Sequence, residues 1–129
     1  MVVDTSALLA VIFDEPECEG FVRILSRDRS PIMGAPTVLE ASIVTADRVG
    51  TKGLSRLRRT MRTLRISVEP FGLRESRVAV RAFLKYGKGR HRARLNFGDC
   101  LSYAVAKTRR QQLLFKGEDF SHTDVERAA

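Results

Sequence analysis

The sequence predicts an α/β domain built on an open parallel sheet of about four strands flanked by helices, and three observations carry that prediction. Short apolar runs at Met1–Val3, Ile32–Met33, Ile66–Phe71 and Leu113–Phe115 alternate with longer stretches whose apolar residues recur at helical spacing. The 129 residues fall in the size range of one domain able to bury its own core. No internal repeat, low-complexity tract or linker divides them, so a single domain over 1–129 is expected.

The opening Met1-Val2-Val3 is apolar and β-branched, and the polar Asp4-Thr5-Ser6 leads into a helix-suited run from Ala7 to Phe13. Asp4 is thereby placed at a strand's C-terminal end. Pro16 breaks the chain, and a second helix covers Glu17 to Arg27 with Phe21, Ile24 and Leu25 on its apolar face. Ile32-Met33 forms a short strand before Pro36, and the next helix starts at Thr37 and runs to Val49 ahead of Gly50, which puts Glu40 in its first turn. Lys52 to Arg65 is a basic helix, because Leu54, Leu57, Met61 and Leu64 share one face and arginines fill the others. A strand over Ile66–Phe71, an amphipathic helix over Leu73–Tyr86 and a basic loop opened by Gly87 and Gly89 come next. A helix from Asp99 to about Arg109 and a last strand at Leu113–Phe115 complete an order close to βααβααβαααβ.

Composition narrows the function. The chain is 43% hydrophobic and 29% charged, and no stretch approaches the roughly 18 unbroken apolar residues of a membrane span, so no membrane partner is expected; Asp4 stands where a secretory signal would need positive charge followed by a long apolar run, so a cytoplasmic location is expected. Cys18 and Cys100 lack CxxC spacing or arranged histidines, which excludes a zinc site and leaves them as small apolar residues. The net charge of +8 favours a polyanionic partner, nucleic acid first, although solubility or an acidic protein partner would also account for it.

Four acidic residues stand where an α/β sheet collects its ligands, outside the strands' carboxyl ends: Asp4, Glu40, Asp99 and Asp119. Carboxylates crowded together repel unless they share protons or bind hard cations, for which magnesium or manganese suits oxygen ligands. Such ions polarise a phosphodiester, generate hydroxide near neutral pH and shield the leaving oxygen. Each residue has an ordinary reading too. Thr37 and Glu40 fit a capping box, Asp99 suits a helix dipole, and Asp4 suits a turn or cap.

Val2-Val3-Asp4-Thr5-Ser6-Ala7-Leu8, Leu39-Glu40, Asn96-Phe97-Gly98-Asp99-Cys100-Leu101-Ser102-Tyr103-Ala104 and Leu113-Leu114-Phe115-Lys116-Gly117-Glu118-Asp119-Phe120 together resemble the PIN-domain toxins of the VapC type. The resemblance spans nearly the whole chain and rests on the order and spacing of the acidic residues. It implies a PIN-like sheet and a toxin of a toxin-antitoxin pair that cleaves RNA with Mg2+ or Mn2+. It further implies a VapB-like antitoxin that restrains the toxin, and a homodimer. Residue by residue it implies Asp4 and Asp99 as the principal metal positions, Glu40 as the third carboxylate, and Ser6 or Thr5 as hydrogen-bonding support. The family's fourth carboxylate falls at Gly117 here, so Asp119 or Glu118 substitutes or the site works with three. The basic segment supplies Lys88, Arg90, Arg92 and Arg94 for RNA phosphates, while a merely solvated loop is the plainer reading.

Other classes fare worse. A receiver-type signalling domain would use Lys116, but Ile66–Phe71 offers no aspartate at the end of the middle strand. A phosphatase with an early DxD fails because Asp4-Thr5-Ser6 lacks the second aspartate. A non-catalytic RNA-binding module with an acidic metal site stays as the alternative, and it gains nothing from carboxylates facing a polyanion.

Overall fold

The computed structural model describes residues 1–128. In chain order it contains β1 (Val2–Val3), α1 (Thr5–Ile12), α2 (Cys18–Arg27), β2 (Ile32–Gly34), α3 (Ala35–Val49), α4 (Thr51–Thr63), β3 (Ser67–Glu69), α5 (Leu73–Tyr86), α6 (Phe97–Arg109) and β4 (Leu113–Leu114), followed by a 3-10 turn at Asp119–His122. Two helices separate β3 from β4, one fewer than the expected order counts but matching the two predicted ranges, and the basic stretch after Tyr86 is a loop that closes on itself: Lys88 N–H donates to Leu95 O and Leu95 N–H to Tyr86 O.

The four strands pair in the order β3-β2-β1-β4, all parallel, with Val2 opposite both Ile32 and Leu113. The chain builds outward from β1 through β2 to β3, then returns to β1's other side with β4. That reversal opens a crevice at the carboxyl ends of β1 and β4. Strand alternation divides the core into two layers. Val3, Met33 and Leu114 face α1 to α4, whereas Val2, Ile32 and Leu113 face α5 and α6. Both faces of β1, β2 and β4 are covered, which explains their continuous apolar runs, whereas edge strand β3 stays exposed at Ser67 and Val68. Beyond the sequence expectation, the C-terminal segment pairs along β4, where Leu113 N–H donates to Glu126 O and Ala128 N–H to Leu113 O, so this sheet edge is not left open.

Most boundaries shift from expectation by one or two residues, and three of the shifts have a plain physical reason. Helix α3 begins at Ala35 rather than Thr37, because Pro36 sits in its first turn, where a missing N–H costs nothing. β3 spans only Ser67–Glu69 because its single neighbour, β2, offers three partners and Pro70 has no N–H to continue the ladder. Helix α6 begins at Phe97, two residues before Asp99, with Asn96 as its cap. Cys18 is half-buried and Cys100 buried, both as free thiols. No helix among the described residues is long and apolar enough to cross a membrane.

Candidate active site

Asp4 leaves β1 directly into α1 and serves as that helix's cap, accepting from Ser6 N–H at 3.0 Å and Ser6 Oγ at 2.6 Å through Oδ2. Its other oxygen accepts from Ser102 Oγ at 2.5 Å. Ser6 Oγ also accepts from Lys116 N–H at 3.0 Å, which ties the end of β1 to the chain leaving β4. Asp4 is 5% exposed, so three donors hold a buried carboxylate in one orientation. Thr5 lines the same cleft but donates to Thr37 O at 3.4 Å rather than to Asp4, leaving Ser6 as the direct support.

Asp99 closes a capping box on α6. Its Oδ2 accepts from Asn96 N–H and its own N–H donates to Asn96 Oδ1, each at 2.9 Å. Capping and site geometry therefore coexist, since the cap occupies one carboxylate oxygen and leaves Oδ1 without a partner among the described residues. Burial, together with the charges of Asp4, Asp119 and Glu40, pushes the Asp99 carboxyl up to about 6, against the pull of its bond to Asn96.

Glu40 lies in the second turn of α3, not the first, and the expected Thr37 capping box is absent. Gly34 occupies the cap position, and Thr37 Oγ1 is buried without a partner among the described residues. Glu40 has no hydrogen-bond partner among them either. Its carboxylate instead rests against Gly98, where an added Cβ would lie 1.9 Å from Oε2. Asp4, Glu40 and Asp99 thus line one cleft of about 400 Å³. Asp119 is exposed at the start of the 3-10 turn and does not line that cleft, although its charge reaches Asp99. Glu118 is exposed, and Gly117 takes φ +93° in the turn before it.

Lys88, Arg90, Arg92 and Arg94 are all exposed, and none lines the cleft. Arg90 lies over the Phe83 ring, 5.5 Å from its centroid, and the loop feeds into the Asn96 cap of α6 beside the site. Sequence reasoning missed Ser102, whose signal was its position three residues after Asp99 on the same helix face. It also missed the cleft's own cations, Arg48 and Lys116, the latter held by Glu15 at 2.6 Å and Glu17 at 3.1 Å. Arg48 comes from the far end of α3, and no local motif marked it.

The donor set fits a hard divalent cation: oxygen ligands only, with the charges of Asp4, Asp119 and Glu40 all disfavouring ionisation of Asp99. Among the described residues no three acidic, histidine or cysteine side chains stand close enough to ligate one ion together.

The PIN-domain family pattern matches residues 1–126. Ribonuclease VapC30 of Mycobacterium tuberculosis is 42% identical over 125 residues, covering 97% of this chain and 95% of its own. Ribonuclease VapC36 of the same species is 44% identical over 127 residues, covering 98% and 91%. Ribonuclease VapC of Mycolicibacterium smegmatis is 42% identical over 125 residues, covering 97% of each chain. Among solved structures, the M. tuberculosis toxin VapC20, described as cleaving the sarcin-ricin loop, superposes with a TM-score of 0.78 at 18% identity over 96% of this chain and 95% of its own.

Proposed function

From the premise that the chain belongs to the PIN-domain family, among ribonucleases of the VapC type, we propose that it is a metal-dependent endoribonuclease acting as the toxin of a toxin-antitoxin pair. The observation that carries this reading is the convergence of Asp4, Glu40 and Asp99 on one cleft, where the neighbouring carboxylates push the Asp99 carboxyl up.

Residues 1–129 act as one PIN domain. Asp4 and Asp99 would hold Mg2+ or Mn2+, and Glu40 would hold a second ion or orient the attacking water; Asp119 contributes charge from outside the cleft. A bound divalent cation supplies a Lewis acid for a phosphodiester oxygen and a hydroxide near neutral pH. Ser6 and Ser102 fix the Asp4 carboxylate so that it need not reorganise when substrate arrives. The Asn96 cap does the same for Asp99. Lys88, Arg90, Arg92 and Arg94 hold RNA phosphates outside the cleft.

The partners follow from the same membership: an RNA substrate met in the cytoplasm, a VapB-like antitoxin and a second copy of the chain. Supporting a homodimer, a larger apolar groove lies beside the acidic cleft, with Val80, Phe83 and Leu84 of α5 exposed and Phe97 79% exposed.

The test is cleavage of a structured RNA panel by the wild type and Asp99→Asn with magnesium, with manganese and with chelator. Metal-dependent cuts by the wild type that the variant does not make are expected. RNA binding without cleavage under any metal would favour the non-catalytic module.

A further inference from the structure

The acidic cleft does not end at its carboxylates. It continues between α1 and α3 over an apolar floor made by Leu9 and Val44. Glu40, Val44 and Arg48 follow one another at four-residue spacing and share one face of α3, so Arg48 stands about 12 Å along the helix from Glu40. The guanidinium lies over the ring of Phe13, 5.0 Å from its centroid, at the far end of α1.

Two cations line this cleft among the described residues. Lys116 is committed, its ammonium shared between Glu15 and Glu17. Arg48 forms no ion pair among the described residues. An aromatic face steadies an arginine without consuming its in-plane N–H donors, which leaves them free for an oxyanion. A polyanionic strand approaching the carboxylates needs positive charge nearby, and the exposed arginines after Tyr86 lie outside this channel.

We propose that the channel between α1 and α3 carries the RNA strand flanking the cut, with Arg48 gripping a phosphate neighbouring the scissile one and Leu9 and Val44 lying under the intervening ribose or base. The inference rests on the nuclease reading for the word scissile, and on geometry alone for the phosphate contact. Arg48 is a substrate-positioning residue, remote from the reacting atoms, and its effect belongs to KM and binding rather than kcat. Its place in the last turn of α3 also suits that helix's negative end, a role a lysine would share.

The test compares the full-length wild type, Arg48→Ala and Arg48→Lys. A short fluorescein-labelled single-stranded RNA is titrated in chelator over a series of NaCl concentrations, and kcat and KM for cleavage are measured with magnesium. Arg48→Ala is expected to weaken binding about tenfold, to flatten the plot of log K against log[salt] by about 0.7, and to raise KM with kcat kept within about twofold. Arg48→Lys is expected to restore the slope but only part of the affinity, since an ammonium cannot grip a phosphate bidentately. Thermal unfolding of all three proteins separates these effects from a folding defect. Cleavage by the wild type with unchanged slope and KM in Arg48→Ala overturns the inference and leaves the nuclease standing. No cleavage by the wild type, with the slope still flattened in Arg48→Ala, keeps the phosphate contact and overturns the nuclease.

Discussion

Replacing Gly98 by alanine should separate activity from stability, because the two respond in opposite directions. Gly98 lies in the first turn of α6 at an ordinary helical φ, so alanine is conformationally welcome and should add about 0.4–1 kcal/mol by restricting the unfolded chain. The added Cβ, however, would stand 1.9 Å from Glu40 Oε2 and 2.9 Å from its Cδ. Recovering ordinary contact requires the carboxylate to retreat by roughly 1.5–2 Å. Glu40 is a long, half-exposed side chain without a hydrogen-bond partner among the described residues, so the retreat is cheap for the fold. For catalysis it is not, since a displacement of about 1 Å can cost about a hundredfold in rate. Gly98→Ala is therefore expected to lose about a hundredfold in kcat/KM while its Tm stays level or rises by about 2 °C. Steady-state cleavage of a labelled RNA and a thermal melt measure the two quantities. Glu40→Gln should show a similar loss, and the double variant should be little worse than either single one, because both act through the same carboxylate. Full activity in Gly98→Ala, or additive losses in the double variant, would refute the reasoning.

Three further outcomes are expected. Asp99→Asn should be inactive yet melt no lower than the wild type at neutral pH: the folded carboxyl titrates at about 6, above its usual 3.8, so ionising it costs the native state stability that the neutral amide does not lose. Ser102→Ala should cost about 1–3 kcal/mol in urea unfolding by removing a donor from buried Asp4, and should weaken Mn2+ binding about tenfold or more in a titration monitored by manganese EPR. Glu75 donates no proton to its neighbours and instead accepts from Arg109 at 2.7 Å and from Gly72 N–H at 2.8 Å; Arg109 first, then that N–H, holds its carboxyl down at about 2. A depressed value stabilises the fold above the unfolded value near 4.5, and the contribution fades as pH falls from there toward 2. Glu75→Gln should thus lose about 1–2 kcal/mol at pH 7 and show a flatter acid decline than the wild type; parallel curves would show that the pair does not set acid stability.

What was legible in the sequence was local or periodic. The apolar runs announced four strands, helical spacing announced the long helices, and the order of Asp4, Glu40 and Asp99 singled out three residues that line one cleft. Cap chemistry was half legible: Asn96 and Asp99 cap α6 as their residue types suggest, while Thr37 and Glu40 display the capping pattern without forming it, because Pro36 draws the start of α3 forward.

By itself, then, the chain determined its alternation of strands and helices, its family and the three carboxylates that line the candidate cleft, since propensity, period and motif order act over a few residues at a time. Only the tertiary structure decided the remainder, and the reason is distance along the chain. Ser102 meets Asp4 across 98 residues, and Lys116 N–H meets Ser6 across 110. Arg48 enters the cleft because α1 and α3 pack side by side, and Glu40 reaches the site because Gly98 leaves room for its carboxylate. These juxtapositions follow from β4 returning to the side of β1, a pairing that no local pattern encodes.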